Sequence, residues 1–150
     1  MDVLKYIIPY PGLPKVLDLL VHQALASAPY CRSRWGIGNS LADIWQIGKQ
    51  NLIYRMDASE IEQLQSVPTL FNDNIHGIPG AGDCDCFTIF TIAMLKANNF
   101  DYSKISIYLQ GNNARTPSHV LTDYNGTKID FTENVINSIR DYKYFDIIKI

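Results

Sequence analysis

Three residues of this chain have the types and order that thiol chemistry requires. Cys84 stands in Gly82-Asp83-Cys84-Asp85-Cys86-Phe87, His119 follows Ser118, and Asp130 opens Asp130-Phe131-Thr132. The reactive form of cysteine is the thiolate, and an ordinary thiol, with a pKa of about 8.5, is mostly protonated at neutral pH. A helix N-terminus favours the anion through unpaired N–H groups and a partial positive charge. Asp83 suits the cap of such a helix, and the apolar run behind Cys84 suits its body. The N–H of Cys84 at that helix start can also face a developing oxyanion. The carboxylates of Asp83 and Asp85 oppose thiolate formation, so a cationic partner is needed, and His119 is the candidate.

The turn signal Asn125-Gly126 fixes how His119 and Asp130 relate. Asn-Gly between two short alternating runs is the strongest local hairpin signal. A two-residue turn there places Tyr124 opposite Thr127, Leu121 opposite Asp130 and His119 opposite Thr132. His119, Leu121, Asp130 and Thr132 then share one face. Diagonal neighbours on a face lie roughly 7–8 Å apart along the backbone, within reach of an imidazole–carboxylate hydrogen bond. Asp130 would hold the tautomer of His119 and stabilise its imidazolium. A slip of one residue would send the two to opposite faces.

The elements that must position these residues follow from periodicity and caps. Residues 1–14, with three prolines, read as an extended arm. Apolar residues at helical spacing (Val16, Leu17, Leu20, Val21, Ala24, Leu25) predict a helix over 15–28, a core helix or a docking helix for a protein partner. A loop over 29–39 leads to Ser40, which can cap a helix over 41–54. Ser59 and Glu62 have capping-box spacing and predict a short helix over 59–64. Residues 68–82 read as loop. Asp83 then caps a helix over 84–98 that is apolar on most sides and so buried and central. Strands are predicted over 105–109, 119–124, 127–132 and 144–150, with a polar loop over 110–117. Helices first and strands after give an α+β class.

Composition narrows the function classes. The chain has 150 residues, a formal net charge of −2 and no Lys/Arg run, so no nucleic-acid footprint. It reads as one domain: arm and helix over 1–40, core over 41–133, C-terminal segment over 134–150. No run is long enough to span a bilayer, and Lys15, Asp18 and His22 interrupt the N-terminal apolar stretch that a signal peptide would need. Three cysteines, Cys31, Cys84 and Cys86, do not form a disulfide framework and point to reduced thiols in a cytoplasmic setting. Cys31 and Cys86 read as core. A metal held by Cys84, Cys86 and His119 lacks a second paired-ligand motif, so no metal is expected. No cofactor motif is present, and His22 and His76 have no evident partners.

Taken together, these residues resemble the transglutaminase-like superfamily of papain-type fold, in particular its small members from bacteria, phages and prophages. The resemblance covers about 41–133: Tyr54 and Asp57, Glu62 and Pro68, the Gly82-Asp83-Cys84-Asp85 signature with its apolar helix, His119, and Asp130 to Thr132. It departs at Cys86, where a second aspartate is frequent, at Val120 and Leu121, where an aromatic residue is common, and at Phe131, a frequent proline. These departures leave Cys84, His119 and Asp130 in place. The resemblance implies a papain-like core with the Cys84 helix packed on a small antiparallel sheet. It also implies acyl chemistry on a peptide or carboxamide bond through a Cys84 thioester. A second oxyanion donor is implied from the helix before the cysteine, with Tyr54 the first candidate and Gln50 and Trp45 the alternatives. The competing expectation is a non-catalytic structural or interaction protein of phage or prophage origin, associated with the virion, that retains the fold.

Overall fold

The apolar run behind Cys84 dictates the architecture, because a helix apolar on all sides must be enclosed. In a computed structural model of the chain, which describes residues 5–9, 13–56, 61–112 and 117–150, it is. Helix α4 (Cys84–Ala97) buries every residue from Cys86 to Leu95. On one side lies α1 (Leu13–Trp35), and on the other a four-stranded antiparallel sheet. The remaining elements in chain order are β1 (Lys5–Pro9), α2 (Leu41–Asn51), β2 (Ile53–Tyr54), β3 (Ile61–Gln65), α3 (Val67–Phe71), β4 (Ala81–Gly82), β5 (Ile105–Gly111), β6 (His119–Tyr124), β7 (Thr127–Ile129) and β8 (Tyr144–Lys149). The class is α+β, as the order of elements predicts.

The sheet runs β7-β6-β5-β8, and two small pairs stand apart from it: β1 with β3, antiparallel, and β2 with β4, parallel. The hairpin has the predicted register, with Tyr124 opposite Thr127 and Thr122 opposite Ile129. Its turn uses positive φ at both Asn125 (49°) and Gly126 (94°), as a two-residue turn matched to strand twist demands. Alternation turns Ile105, Ile107, Leu109, Val120 and Ile129 into the core, and each is at most 5% exposed. His119, Leu121 and their partners Gln110 and Tyr108 belong to the other face.

Several boundaries differ from the sequence reading. The 15–28 helix runs on to Trp35, straight through Pro29 and the predicted loop. Pro29 removes a helical hydrogen bond, but the extra turns bury Cys31 and bring Trp35 edge-on to Phe71 (5.2 Å) and Phe90 (5.5 Å). The apolar stripe of α1, read as core or docking face, is packed against α4. The second helix ends at Asn51 rather than 54, so Tyr54 lies on a strand whose chain is held by Gly80 and Gly82. Where a helix was expected over 59–64, residues 61–65 form β3, because pairing with β1 outweighs a local capping signal. Residues 5–9 of the expected arm are therefore a strand. Its residues 13 and 14 begin α1, and residues 1–4 and 10–12, with Asp57 and Ser59, lie outside the described residues. The predicted 68–82 loop contains the end of α3, capped by Ser66, and the two residues of β4. The strand expected over 127–132 stops at Ile129.

One glycine fixes how α2 meets the sheet. A Cβ on Gly48 would land inside the Phe131 ring. That ring is also stacked on Trp45 (5.0 Å, 19°) and edge-on to Phe90 (5.7 Å). Gly48→Ala should therefore lower stability by about 1 kcal/mol, since overpacking of ~1–3 kcal/mol outweighs the ~1 kcal/mol gained in helix propensity. A urea denaturation midpoint unchanged from wild type would contradict this packing.

Candidate active site

The segment before Cys84 is held by side-chain amides. Gln65 Nε2 and Asn74 Nδ2 both donate to the carbonyl of Ala81, at 3.0 and 2.9 Å, and Asn74 Nδ2 also reaches the carbonyl of Leu70 at 2.8 Å. Gly82 then passes so close to Cys86 that a Cβ would meet its Cβ at 2.7 Å and its Sγ at 3.1 Å. Cys86 is thereby sealed in the core, fully buried, as the sequence reading has it. Asp83 is the N-cap of α4 and its carboxylate accepts from Asp85 N at 3.2 Å and Cys86 N at 3.5 Å. Cys84 is the first helical residue and partly exposed, where the helix dipole favours an anion. Cys31 lies buried elsewhere, and burial pushes its thiol up to about 12, which makes it inert.

His119 and Asp130 are in direct contact, His119 Nε2 to Asp130 Oδ2 at 2.6 Å, both nearly wholly buried. Thr132 satisfies the other carboxylate oxygen: its N–H donates to Asp130 Oδ1 at 3.0 Å and its hydroxyl to the same atom at 2.6 Å. That Asx-type turn ends the strand at Ile129 and fixes the carboxylate. Burial pushes the Asp130 pKa up, but the hydrogen bond and charge of His119 and the two bonds from Thr132 outweigh it. The net pKa lies below the ordinary value. With Nε2–H engaged by Asp130, Nδ1 is the nitrogen available as base. On either side of Asp130, Ile129 and Phe131 are core residues, and Lys49 Nζ on α2 holds the carbonyls of Phe131 (3.2 Å) and Glu133 (2.7 Å).

The pair and the cysteine belong to one end of the molecule. Phe100, just past the end of α4, meets Tyr124 at the end of β6 (5.1 Å). Helix and strand therefore run in the same sense, which brings Cys84 toward the His119 end. Between them, Tyr54 and Arg140 feel charges from both groups. Desolvation, then the negative charges of Cys84, Asp83 and Asp85, push the Tyr54 hydroxyl up to about 12, while Arg140 acts in the opposite sense. Arg140 in turn feels the charge of Asp130 and hydrogen-bonds Tyr142. The Tyr142 ring is stacked on His119 (6.1 Å, 25°).

Of the three oxyanion candidates, Tyr54 alone is tied to the cysteine end: its hydroxyl feels the charges of Cys84, Asp83 and Asp85, and its ring packs edge-on to Phe87 (6.0 Å). Trp45 is a packing residue against Phe131, and Gln50 is exposed on α2. Arg140 and Tyr142 were missed by the sequence reading. They belong to an irregular segment with no periodicity, and only the fold carries it across the sheet. Among the described residues no group of three or more His, Cys, Asp or Glu side chains could hold a metal ion, and no helix is long and apolar enough to cross a membrane. No family model, curated protein or solved structure matches the chain.

The depressed pKa of Asp130 makes stability depend on pH in a definite direction. Its ionised form is favoured by folding, so the increment is present above the ordinary carboxylate value of 3.8 and is lost as pH falls through the lower folded value. Asp130→Asn should be less stable than wild type at pH 7, with the difference shrinking toward pH 3. Denaturation midpoints that stay equally far apart at both pH values would show that the charge contributes nothing.

Proposed function

We propose that the protein is a thiol enzyme of the transglutaminase-like, papain-type class. It acts on a peptide or carboxamide bond through a Cys84 thioester, with His119 as base and Asp130 as the residue that orients it. The observation that carries this reading is the 2.6 Å bond between His119 Nε2 and Asp130 Oδ2. It leaves Nδ1 for proton transfer, at the end of the sheet toward which α4 presents a partly exposed Cys84. The α+β arrangement of a central helix against a small antiparallel sheet is consistent with the class.

The chemistry follows from those groups. His119 Nδ1 takes the proton from Cys84 Sγ, and the sulfur forms a bond to the carbonyl carbon. The negative charge that develops on the carbonyl oxygen meets the Cys84 N–H at the helix start and the Tyr54 hydroxyl. With a pKa near 12, that hydroxyl keeps its proton at neutral pH and acts as a donor. The carbon–nitrogen bond breaks, and the amine leaves with the proton carried by His119. Water or a second amine, deprotonated by His119, then attacks the thioester, the carbon–sulfur bond breaks, and the acid or new amide departs. Asp130 stabilises the imidazolium in both halves without taking its proton.

One observation favours the non-catalytic alternative: the His119 side chain is 2% exposed beneath Tyr142. The rate of Cys84 alkylation against pH, in wild type and in His119→Ala, separates the two readings. An enzyme should show Cys84 titrating well below the usual ~8.5, rising in the variant, with peptide or amide turnover falling by more than ~10³ in Cys84→Ser. A thiol that titrates normally and ignores His119 would leave the fold without the chemistry.

A further inference from the structure

Among the described residues, the chain closes one edge of the four-stranded sheet and leaves the other open. At the β7 edge, Asn137 N–H donates to the Lys128 carbonyl at 2.9 Å, and Asn137 Oδ1 accepts from Lys128 N–H at 2.9 Å. The other edge is β8. Which of its groups face outward follows from β5. Ser118 N–H donates to the Gln110 carbonyl and Asn125 N–H to the Lys104 carbonyl, so even-numbered residues along β5 turn their main-chain groups to β6. The odd-numbered ones turn to β8, where Ile107, Leu109 and Gly111 stand opposite Ile148, Asp146 and Tyr144. The N–H and C=O groups of Phe145, Ile147 and Lys149 therefore point away from the sheet. Among the described residues one hydrogen bond reaches them: Ile147 N–H donates to Asp146 Oδ1 at 2.9 Å.

An open edge is a template for another strand, the more so when it carries exposed apolar side chains. Phe145 is 65% exposed and Ile147 47%. Phe145 is also held in place, because its ring lies flat on Tyr108 (5.3 Å, 4°). The strand complements itself as well. Two copies related by a twofold axis pair antiparallel and bring residues of the same face opposite one another. For a strand of six residues, the longest such overlaps are 144–148, centred on Asp146, and 145–149, centred on Ile147. The first sets Asp146 against its own copy, a like-charge pair. The second sets each Ile147 opposite the other and joins the outward groups of Phe145 on one strand to those of Lys149 on the other. It also brings the Lys149 ammonium to the Phe145 ring, a cation–π pairing.

We propose that β8 is a self-association edge, on which a second copy of this chain pairs antiparallel about Ile147 and continues the sheet across a twofold axis. Asp146 restrains that pairing, since its carboxylate occupies the Ile147 N–H that the central pair needs. One strand edge is a small contact of the kind found in transient complexes, so the association is reversible. Sedimentation equilibrium of the full chain tests it, each variant being checked for fold by circular dichroism. Wild type should exchange between monomer and dimer. Asp146→Ala should tighten the dimer about tenfold. Ile147→Lys, which opposes two ammonium groups, should weaken it by about tenfold or more. Ile37→Lys, at a more exposed apolar residue outside the sheet, should leave it unchanged. The register is read in a Cys84→Ala background, where Cys31 and Cys86 stay buried. There, oxidation with diamide should crosslink Ile147→Cys, because directly opposite residues are close enough for a disulfide. Phe145→Cys, which meets Lys149, should crosslink far more slowly. A wild type that stays monomeric at the highest soluble concentration overturns the proposal and leaves the edge to a foreign extended peptide. A dimer no tighter in Asp146→Ala, one indifferent to Ile147→Lys, one weakened equally by Ile37→Lys, or faster crosslinking at 145 than at 147 overturns it too.

Discussion

A helix with no polar side has to be enclosed on all sides, and α4 is enclosed by α1 on one flank and the sheet on the other. Everything at the candidate site is measured from that constraint. Because the body of α4 is immobilised by the core, its first residue, Cys84, has a fixed position at the rim. The polar atoms at its start are then set by the chain that enters it. Gln65 and Asn74 hold the Ala81 carbonyl, and the missing side chain of Gly82 lets Cys86 seal the first turn from below.

The base and its acid are placed by the same core from the opposite direction. Asp130 sits between two core residues, Ile129 and Phe131, so its side chain has no choice of face. Phe131 is gripped by Trp45, Phe90 and the bare backbone of Gly48. The carboxylate is then finished locally by Thr132. A buried ion pair is weak evidence for stability by itself. Here the hydrogen bonds to every Asp130 oxygen leave no charge uncompensated, which is the condition under which burial is tolerated.

How much of this was legible in the sequence depends on the range of the interaction that decides it. Asp83 as cap, the span of α4, the Asn125-Gly126 turn and the shared face of His119 and Asp130 all follow from local rules, and the structure has them. The residues that went astray were decided at long range. Pro29 is carried inside a helix because Trp35 finds an aromatic cluster beyond it. Residues 61–65 are a strand because Lys5–Pro9 pairs with them, against their own capping signal. Tyr54 leaves its helix because the carbonyls of Gly80 and Gly82 accept the N–H groups of Ile53 and Arg55. Arg140 could not be found at all, since nothing around it in sequence marks the sheet it lies across.

The uneven burial of the three cysteines gives the molecule an internal gauge of its own integrity. Cys31 and Cys86 are fully enclosed, and Cys84 alone reaches solvent. Cys31 faces α4 from α1, and Cys86 sits under the first turn of the helix. A thiol reagent of ordinary size therefore meets one sulfur in the folded chain and three in the unfolded one. Partial opening of α1 away from α4 would add Cys31 to the count, so the identity of the second sulfur labelled reads which layer has come away.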